Sequence, residues 1–149
     1  MTNKIASAVR LVTMHINGVA ETAIYVENVA RSTEFYQRLF GLRRLLGDEQ
    51  FSALEVPGPA VFLLFQKGSR REAFSTPGGV IPAHGASGEI HFAFKISRES
   101  LEECARELGD LGVAIESTVE WPRGGKSLYF RDPDQHLVEL ITPGCWTNY

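Results

Sequence analysis

A chain of 149 residues is long enough to bury a sizeable core, and it suits one domain or two small lobes of similar size. Its composition, with 44% hydrophobic and 22% charged residues, is that of an ordinary globular protein. The net charge of -3 gives no electrostatic reason to expect binding to nucleic acid or to an anionic membrane surface.

The sequence favours a cytoplasmic location. No apolar run approaches the roughly 20 residues that span a bilayer, and the N-terminus lacks the hydrophobic region of a signal peptide. Two cysteines, Cys104 and Cys145, are too few and too far apart for a disulfide scaffold or a CxxC metal site.

The first half of the chain reads as strand, helix and three strands. Residues 1–18 are expected to be an N-terminal extension or an edge strand. The alternation in residues 20–26 predicts a strand, and the next helix is capped by Asn28 or Ser32 and ends at Gly41. Strands at about 42–46, 50–56 and 61–65 complete a first module, residues 19–66.

A glycine-, proline- and serine-rich connection follows at residues 67–87. Connections of this length without secondary structure of their own are typical of lids or linkers.

The same order of elements then repeats in residues 88–145. A strand at 88–97 precedes a helix whose S-x-x-E start, Ser100 and Glu103, predicts a capping box. Gly112 ends that helix, and the three strands expected after it cover residues 113–116, 126–131 and 136–142.

Overlaying the two halves places Glu21 on His91 with an offset of 70 residues and Gly41 on Gly112 with an offset of 71. Leu63 falls on Glu139 with an offset of 76. Nearly constant offsets over strand, helix end and last strand predict an α+β fold made of two βαβββ modules, which share one site between their sheets.

Three residues in this pattern are candidate metal ligands. Glu139 has apolar neighbours along its strand, where a carboxylate needs a salt bridge, a cation or an edge position in water. A lone strand histidine such as His91 is usually a packing or surface residue. However, if the sheets curl around a common cavity, Glu21, His91 and Glu139 converge inside it. One imidazole and two carboxylates suit Fe(II), Mn(II), Zn(II), Ni(II) or Co(II) and leave positions open for substrate.

Three segments, TAIYVENVARSTEFYQRLFGL, HFAFKI and SLYFRDPDQHLVELITPG, resemble the vicinal oxygen chelate superfamily. This is the fold of glyoxalase I, extradiol dioxygenases, fosfomycin-resistance proteins and bleomycin-resistance proteins, and the resemblance covers about residues 19–144. It implies a U-shaped, partly closed mixed sheet around a divalent metal and a homodimer. It also assigns ligand positions to Glu21, His91 and Glu139.

Two positions depart from the family pattern. The first-strand ligand is most often histidine in this family, whereas Glu21 stands here. Glyoxalase I takes a fourth ligand from the position of Leu63, so a three-ligand site fits better. The additional carboxylate favours Mn(II), Fe(II) or Mg(II) over thiophilic metals.

Several further side chains are candidates for contacts with a small-molecule substrate. Tyr129 is expected to face the cavity, and the turn with Trp121 and Arg123 can place a ring and a guanidinium at its entrance. Trp121 reads equally well as a hydrophobic plug. His136 lies on the strand face opposite Glu139 and is excluded as a ligand. His84 can reach the mouth of the cavity from the connection, but it is expected to be exposed.

Two classes of function follow. In the leading hypothesis the protein is a metal-dependent enzyme that binds two substrate oxygens, with Glu139 also transferring a proton, in extradiol-type ring cleavage or a glyoxalase-like lyase or isomerase reaction. In the alternative it is a metal-free protein that sequesters a drug or metabolite, with stacking contacts from Trp121, Tyr129, Phe51 and Phe65.

Overall fold

Residues 16–149 are described by a computed structural model, and they contain two similar modules. Residues 1–15, most of the predicted extension, lie outside the described part, and residues 16–20 precede the first strand. The first module contains β1 (Glu21–Val26), α1 (Val29–Phe40), β2 (Arg44–Gly47), β3 (Phe51–Val56) and β4 (Ala60–Gln66). The second contains β7 (His91–Lys95), α2 (Leu101–Asp110), β8 (Ile115–Glu120), β9 (Lys126–Arg131) and β10 (Leu137–Ile141). The α+β class and the repeated βαβββ order are therefore confirmed.

Each module forms its own four-stranded mixed sheet, with strand orders β1-β4-β3-β2 and β7-β10-β9-β8. The first and last strands of a module pair in parallel, and the remaining pairs are antiparallel. Ala23 pairs with Leu63 in the first sheet, as Ala93 pairs with Glu139 in the second. Leu63 and Glu139 are therefore equivalent in three dimensions, as the offsets predict.

The connection between the modules is more ordered than the sequence predicts. It contains a small antiparallel hairpin of β5 (Phe74–Thr76) and β6 (Gly79–Ile81). Pro77 and Gly78 form the two-residue turn, and Gly79, the first residue of β6, has a φ of +145° that other residues rarely adopt.

The helix ends follow local sequence signals in module 1 more closely than in module 2. Asn28 caps α1 by accepting a hydrogen bond from the Arg31 amide, and Gly41 ends the helix with a left-handed φ of +63°. The capping box at Ser100 and Glu103 was a wrong prediction. Ser100 makes no side-chain capping bond, because its hydroxyl lies 2.9 Å from that of Ser97, which also accepts from the Ser100 amide. Neither helix within residues 16–149 combines the length and apolar character needed to cross a bilayer.

The two modules pack through one shared aromatic core. Phe92 and Phe94 of β7 contact Phe62 of β4, with ring centroids 5.1 and 5.5 Å apart, and Phe40 of α1 lies 5.0 Å from Phe94. Buried residues of both sheets surround these rings: Ile24, Val26, Leu64, Leu128, Phe130, Val138 and Leu140. Burial of this apolar surface is the main term that holds the modules together.

Polar contacts from the β9–β10 turn fix how the modules meet. Asp132 accepts a hydrogen bond from the buried Tyr36 hydroxyl of α1 at 2.7 Å. Asp134 accepts from the Glu27 amide and the Ser32 hydroxyl at the start of α1. Burial, with help from the Asp132 carboxylate, raises the pKa of Tyr36, so its phenol remains a proton donor. The turn at residues 132–134 thus also fixes the position of the first helix.

Candidate metal centre

His91, Tyr129 and Glu139 form a polar cluster on the second sheet. The pairing of β9 with β10 sets Tyr129 beside Glu139, and β7 lies parallel on the other side. The Tyr129 hydroxyl donates to Glu139 Oε1 at 2.9 Å, and His91 Nε2 lies 3.2 Å from Glu139 Oε2. The Glu139 side chain is only 7% exposed, whereas that of His91 is 50% exposed. The cluster is therefore anchored in the sheet and open on one side.

The orientation of His91 leaves one ring nitrogen for a cation. Its Nδ1 lies 3.1 Å from the carbonyl of Leu137, and since a carbonyl only accepts, Nδ1 carries the hydrogen. In the neutral ring, Nε2 then presents a lone pair to the Glu139 carboxylate. Two facing acceptors need a proton or a metal ion between them. A backbone carbonyl on one nitrogen is the usual partner of a metal-binding histidine.

The separation of the two candidate ligand atoms also fits a shared cation. Atoms that bind one first-row divalent ion at about 2.1 Å and roughly at right angles lie about 3 Å apart. The 3.2 Å between His91 Nε2 and Glu139 Oε2 is close to that value. The donor set of this chain is thus compatible with a divalent metal.

Tyr129 holds the carboxylate in place. Burial raises the pKa of Tyr129, and its hydrogen bond to Glu139 raises that pKa further. The phenol therefore stays protonated at neutral pH and donates to Oε1, which leaves Oε2 directed at His91.

Glu21 lies apart from this cluster within one chain. It is exposed at the start of β1, on the same strand face as Ala23 and Tyr25, whereas Ile24 and Val26 enter the shared core. His91 likewise faces away from the side of β7 that packs into this core. The modules therefore meet back to back: the strand faces that carry Glu21 and His91 both point away from the interface between the modules. Among residues 16–149, no three His, Cys, Asp or Glu side chains come close enough to hold a metal ion. The assignment of Glu21 as a ligand stays a prediction.

The structure gives Trp121 and Arg123 defined contacts. The Trp121 indole N–H donates to Ser127 Oγ at 2.8 Å, and Ser127 shares a strand face with Tyr129, so the ring lies at the margin of the cluster. The exposed Arg123 donates to the carbonyl of Cys145 at 3.1 Å and ties the turn to the C-terminal segment. Their contacts with substrate remain predictions.

His136 is buried between the modules and has a structural role. Its Nδ1 accepts a hydrogen bond from the Ile90 amide, so Nε2 carries the hydrogen and donates to the Tyr25 carbonyl at 2.9 Å. The sequence excluded His136 from the ligand set by strand alternation, which gave no sign of this link between β1 and the residue before β7.

The equivalent face of module 1 is aromatic. Tyr25, Phe51 and Phe65 stack with centroids 4.9 to 5.8 Å apart, above a floor of Ala53 and Leu63. Hence the four stacking candidates of the metal-free alternative lie on two separate faces of one chain. His84 was expected to be exposed, and this was wrong, because it is half-buried beside Phe65 with a hydrogen bond to the Tyr25 hydroxyl.

Comparison with known proteins identifies the family. Residues 18–140 match the model of the Glyoxalase/Bleomycin resistance protein/Dioxygenase superfamily. A metallothiol transferase FosB from Shouchella clausii is 28% identical over 131 residues, which cover 85% of this chain and 81% of the relative. A crystal structure of lactoylglutathione lyase from Agrobacterium tumefaciens has a TM-score of 0.81 and 30% identity, and it covers 89% of this chain and 98% of that one. The fosfomycin resistance protein FosX from Listeria monocytogenes, complexed with Mn(II) and sulfate, has a TM-score of 0.61 and 24% identity over 86% of this chain and 91% of that one. The chain belongs to the Glyoxalase/Bleomycin resistance protein/Dioxygenase superfamily.

Proposed function

We propose that this protein is a metal-dependent enzyme of the lyase or transferase type that acts on a small molecule through two oxygen atoms. The observation that carries the proposal is the facing pair His91 Nε2 and Glu139 Oε2, with the other nitrogen of His91 held by a carbonyl. The names of the relatives, a metallothiol transferase and a lactoylglutathione lyase, support this class over ring-cleaving oxygenases. The Mn(II) in FosX makes Mn(II) the first metal to test.

Each residue of the cluster has a role in this proposal. His91 and Glu139 hold the cation, which supplies Lewis acidity toward a substrate oxygen. The Leu137 carbonyl fixes the ring of His91, and Tyr129 fixes the carboxylate of Glu139. We assign proton exchange with the substrate to Glu139 Oε2, the oxygen that Tyr129 does not hold.

We propose further that a second copy of the chain completes the site with Glu21. Because the modules of one chain meet back to back, Glu21 and the His91–Glu139 pair face in different directions. A twofold dimer in which module 1 of one copy covers module 2 of the other brings Glu21 to the partner's pair. Such a dimer also covers the open faces, which carry His91 on one module and Tyr25 on the other.

Metal removal and reconstitution test the enzyme proposal. Protein purified without chelator is expected to contain about one divalent metal per chain, as measured by elemental analysis. Lactoylglutathione lyase activity, or consumption of fosfomycin with a small thiol, is expected to disappear with chelator and to return with Mn(II). A chain that holds no metal and still binds such molecules with unchanged affinity favours sequestration instead.

Complementation between inactive subunits tests the role of Glu21. Glu21→Gln and the double variant His91→Ala/Glu139→Gln are each expected to lose most of their metal. Co-expressed, half of the dimers are mixed and carry one intact site, so metal content should recover to about a quarter of wild type. If Glu21 acts within its own chain, mixing restores nothing, and if it is not a ligand, the single variant keeps its metal.

A further inference from the structure

We propose that Arg70, His84 and Tyr25 form a subsite for an oxyanion group of the substrate, on the same strand face as Glu21 and remote from the metal. The distance between this subsite and the metal rests on the function proposed above, whereas oxyanion binding by these three residues does not. No residue of this group is among the proposed metal ligands or substrate contacts.

The connection between the modules delivers two of these residues to module 1. Its start is fixed to β1 by the Lys67 amide, which donates to the Val26 carbonyl at 2.9 Å, and by the Lys67–Glu27 ion pair at 3.0 Å. The His84 amide then donates to the Arg70 carbonyl at 2.9 Å, which brings the two ends of the connection together. Arg70 and His84 are thus neighbours although 14 positions separate them in the chain.

Arg70 is held by aromatic rings, and no carboxylate neutralises it. Its guanidinium carbon lies 5.4 Å from the ring centroid of Phe65 and 5.1 Å from that of Phe74. Among residues 16–149, Arg70 makes no ion pair, and its one side-chain hydrogen bond goes to the adjacent Ser69 carbonyl. Stacking on rings fixes the guanidinium while its N–H edges remain available, which is the geometry that recognises carboxylates and phosphates.

His84 adds a second donor to the same place. Its Nδ1 lies 2.5 Å from the Tyr25 hydroxyl, and we assign the tautomer in which Tyr25 donates to Nδ1. In this arrangement Nε2 carries a hydrogen and has no partner among the described residues. The subsite therefore offers a fixed positive charge and N–H donors, a combination that binds oxyanions and disfavours cations.

The distance between the subsite and Glu21 defines the substrate class. Glu21 and Tyr25 share one face of β1 and are four residues apart, which is roughly 13 Å along a strand. Ala23, the residue between them on that face, leaves space above the strand. A substrate that reaches both points is extended, with its carboxylate or phosphate on the order of 10 Å from the metal.

Phosphate titration of the full-length, metal-free protein tests the subsite. With ¹⁵N-labelled protein, inorganic phosphate is expected to shift the Arg70 Nε–H and the His84 ring signals in a saturable way. Arg70→Gln should raise the phosphate Kd at least ~10-fold, as followed by the His84 signals. Arg71→Gln, which removes the same charge one residue later, should change the Kd less than about twofold. Uniform, unsaturable shifts, or equal loss in both variants, would overturn the subsite.

Mn(II)-loaded protein tests the remoteness of the subsite. Paramagnetic relaxation of ³¹P should place the phosphate that depends on Arg70 about 10 Å from Mn(II). A distance of about 3 Å for that same phosphate would mean direct contact with the metal and would overturn the extended substrate. If the wild-type protein does not bind Mn(II), the proposed function is contradicted, while the metal-free titration still tests the subsite.

Discussion

Replacing Glu139 by glutamine is expected to weaken Mn(II) binding at least ~100-fold, because the substitution removes a charged metal ligand and not merely a residue that hydrogen-bonds to a ligand. The amide still accepts the hydrogen bond from Tyr129, so the local packing is preserved. Since the variant also removes a buried charge that is costly without a cation, the metal-free protein should be as stable as the wild type or more stable. Loss of metal without loss of stability separates a ligand from a structural residue.

Two matched variants complete this experiment, read out by metal titration and thermal unfolding in chelator. Glu89→Gln changes an exposed carboxylate two residues before His91. The Glu89 carboxylate lies 3.9 Å from the Arg131 guanidinium, and its replacement should leave the Mn(II) affinity unchanged. Tyr129→Phe removes the donor to Oε1 and should lower the affinity roughly 10- to 100-fold. Full metal content in the Glu139 variant would contradict the proposed centre.

Replacing His136 by leucine is expected to lower the free energy of unfolding by about 2–4 kcal/mol, since it leaves two partly buried backbone groups without partners. These groups are the Ile90 amide and the Tyr25 carbonyl, one from each module. For a chain of this length, the change corresponds to a decrease in Tm of roughly 5–15 °C. Thermal and denaturant unfolding measure it directly.

Two further measurements show whether the lower free energy of unfolding results from the lost hydrogen bonds of His136. His136→Gln keeps a donor and an acceptor on a side chain of similar reach, and it should recover part of the stability. Hydrogen exchange at the Ile90 amide should accelerate in the leucine variant relative to amides in the centre of β9. A leucine variant as stable as the wild type would show that His136 does not link the modules.

Local signals predicted the elements of this fold well. Strand alternation and the caps at Asn28 and Gly41 placed β1 and α1 to within about one residue, because these features depend on neighbours in the chain. The capping box failed because the Ser97 hydroxyl competes for Ser100. The hairpin in the connection was missed since its strands are three residues long, below what alternation can show.

The amino-acid sequence by itself determined the duplicated βαβββ order and the strand faces of Glu21, His91 and Glu139, because alternation and repeat offsets are properties of the linear chain. Only the tertiary structure decided which of these faces meet. The aromatic core around Phe62, Phe92 and Phe94 turns the face that carries Glu21 and the face that carries His91 away from each other. Pairing of β7 with β10 brings His91 to Glu139 within one sheet. The packing of the two modules separates Glu21 from both, since burial of apolar surface between the sheets, and not strand pattern, sets their relative orientation.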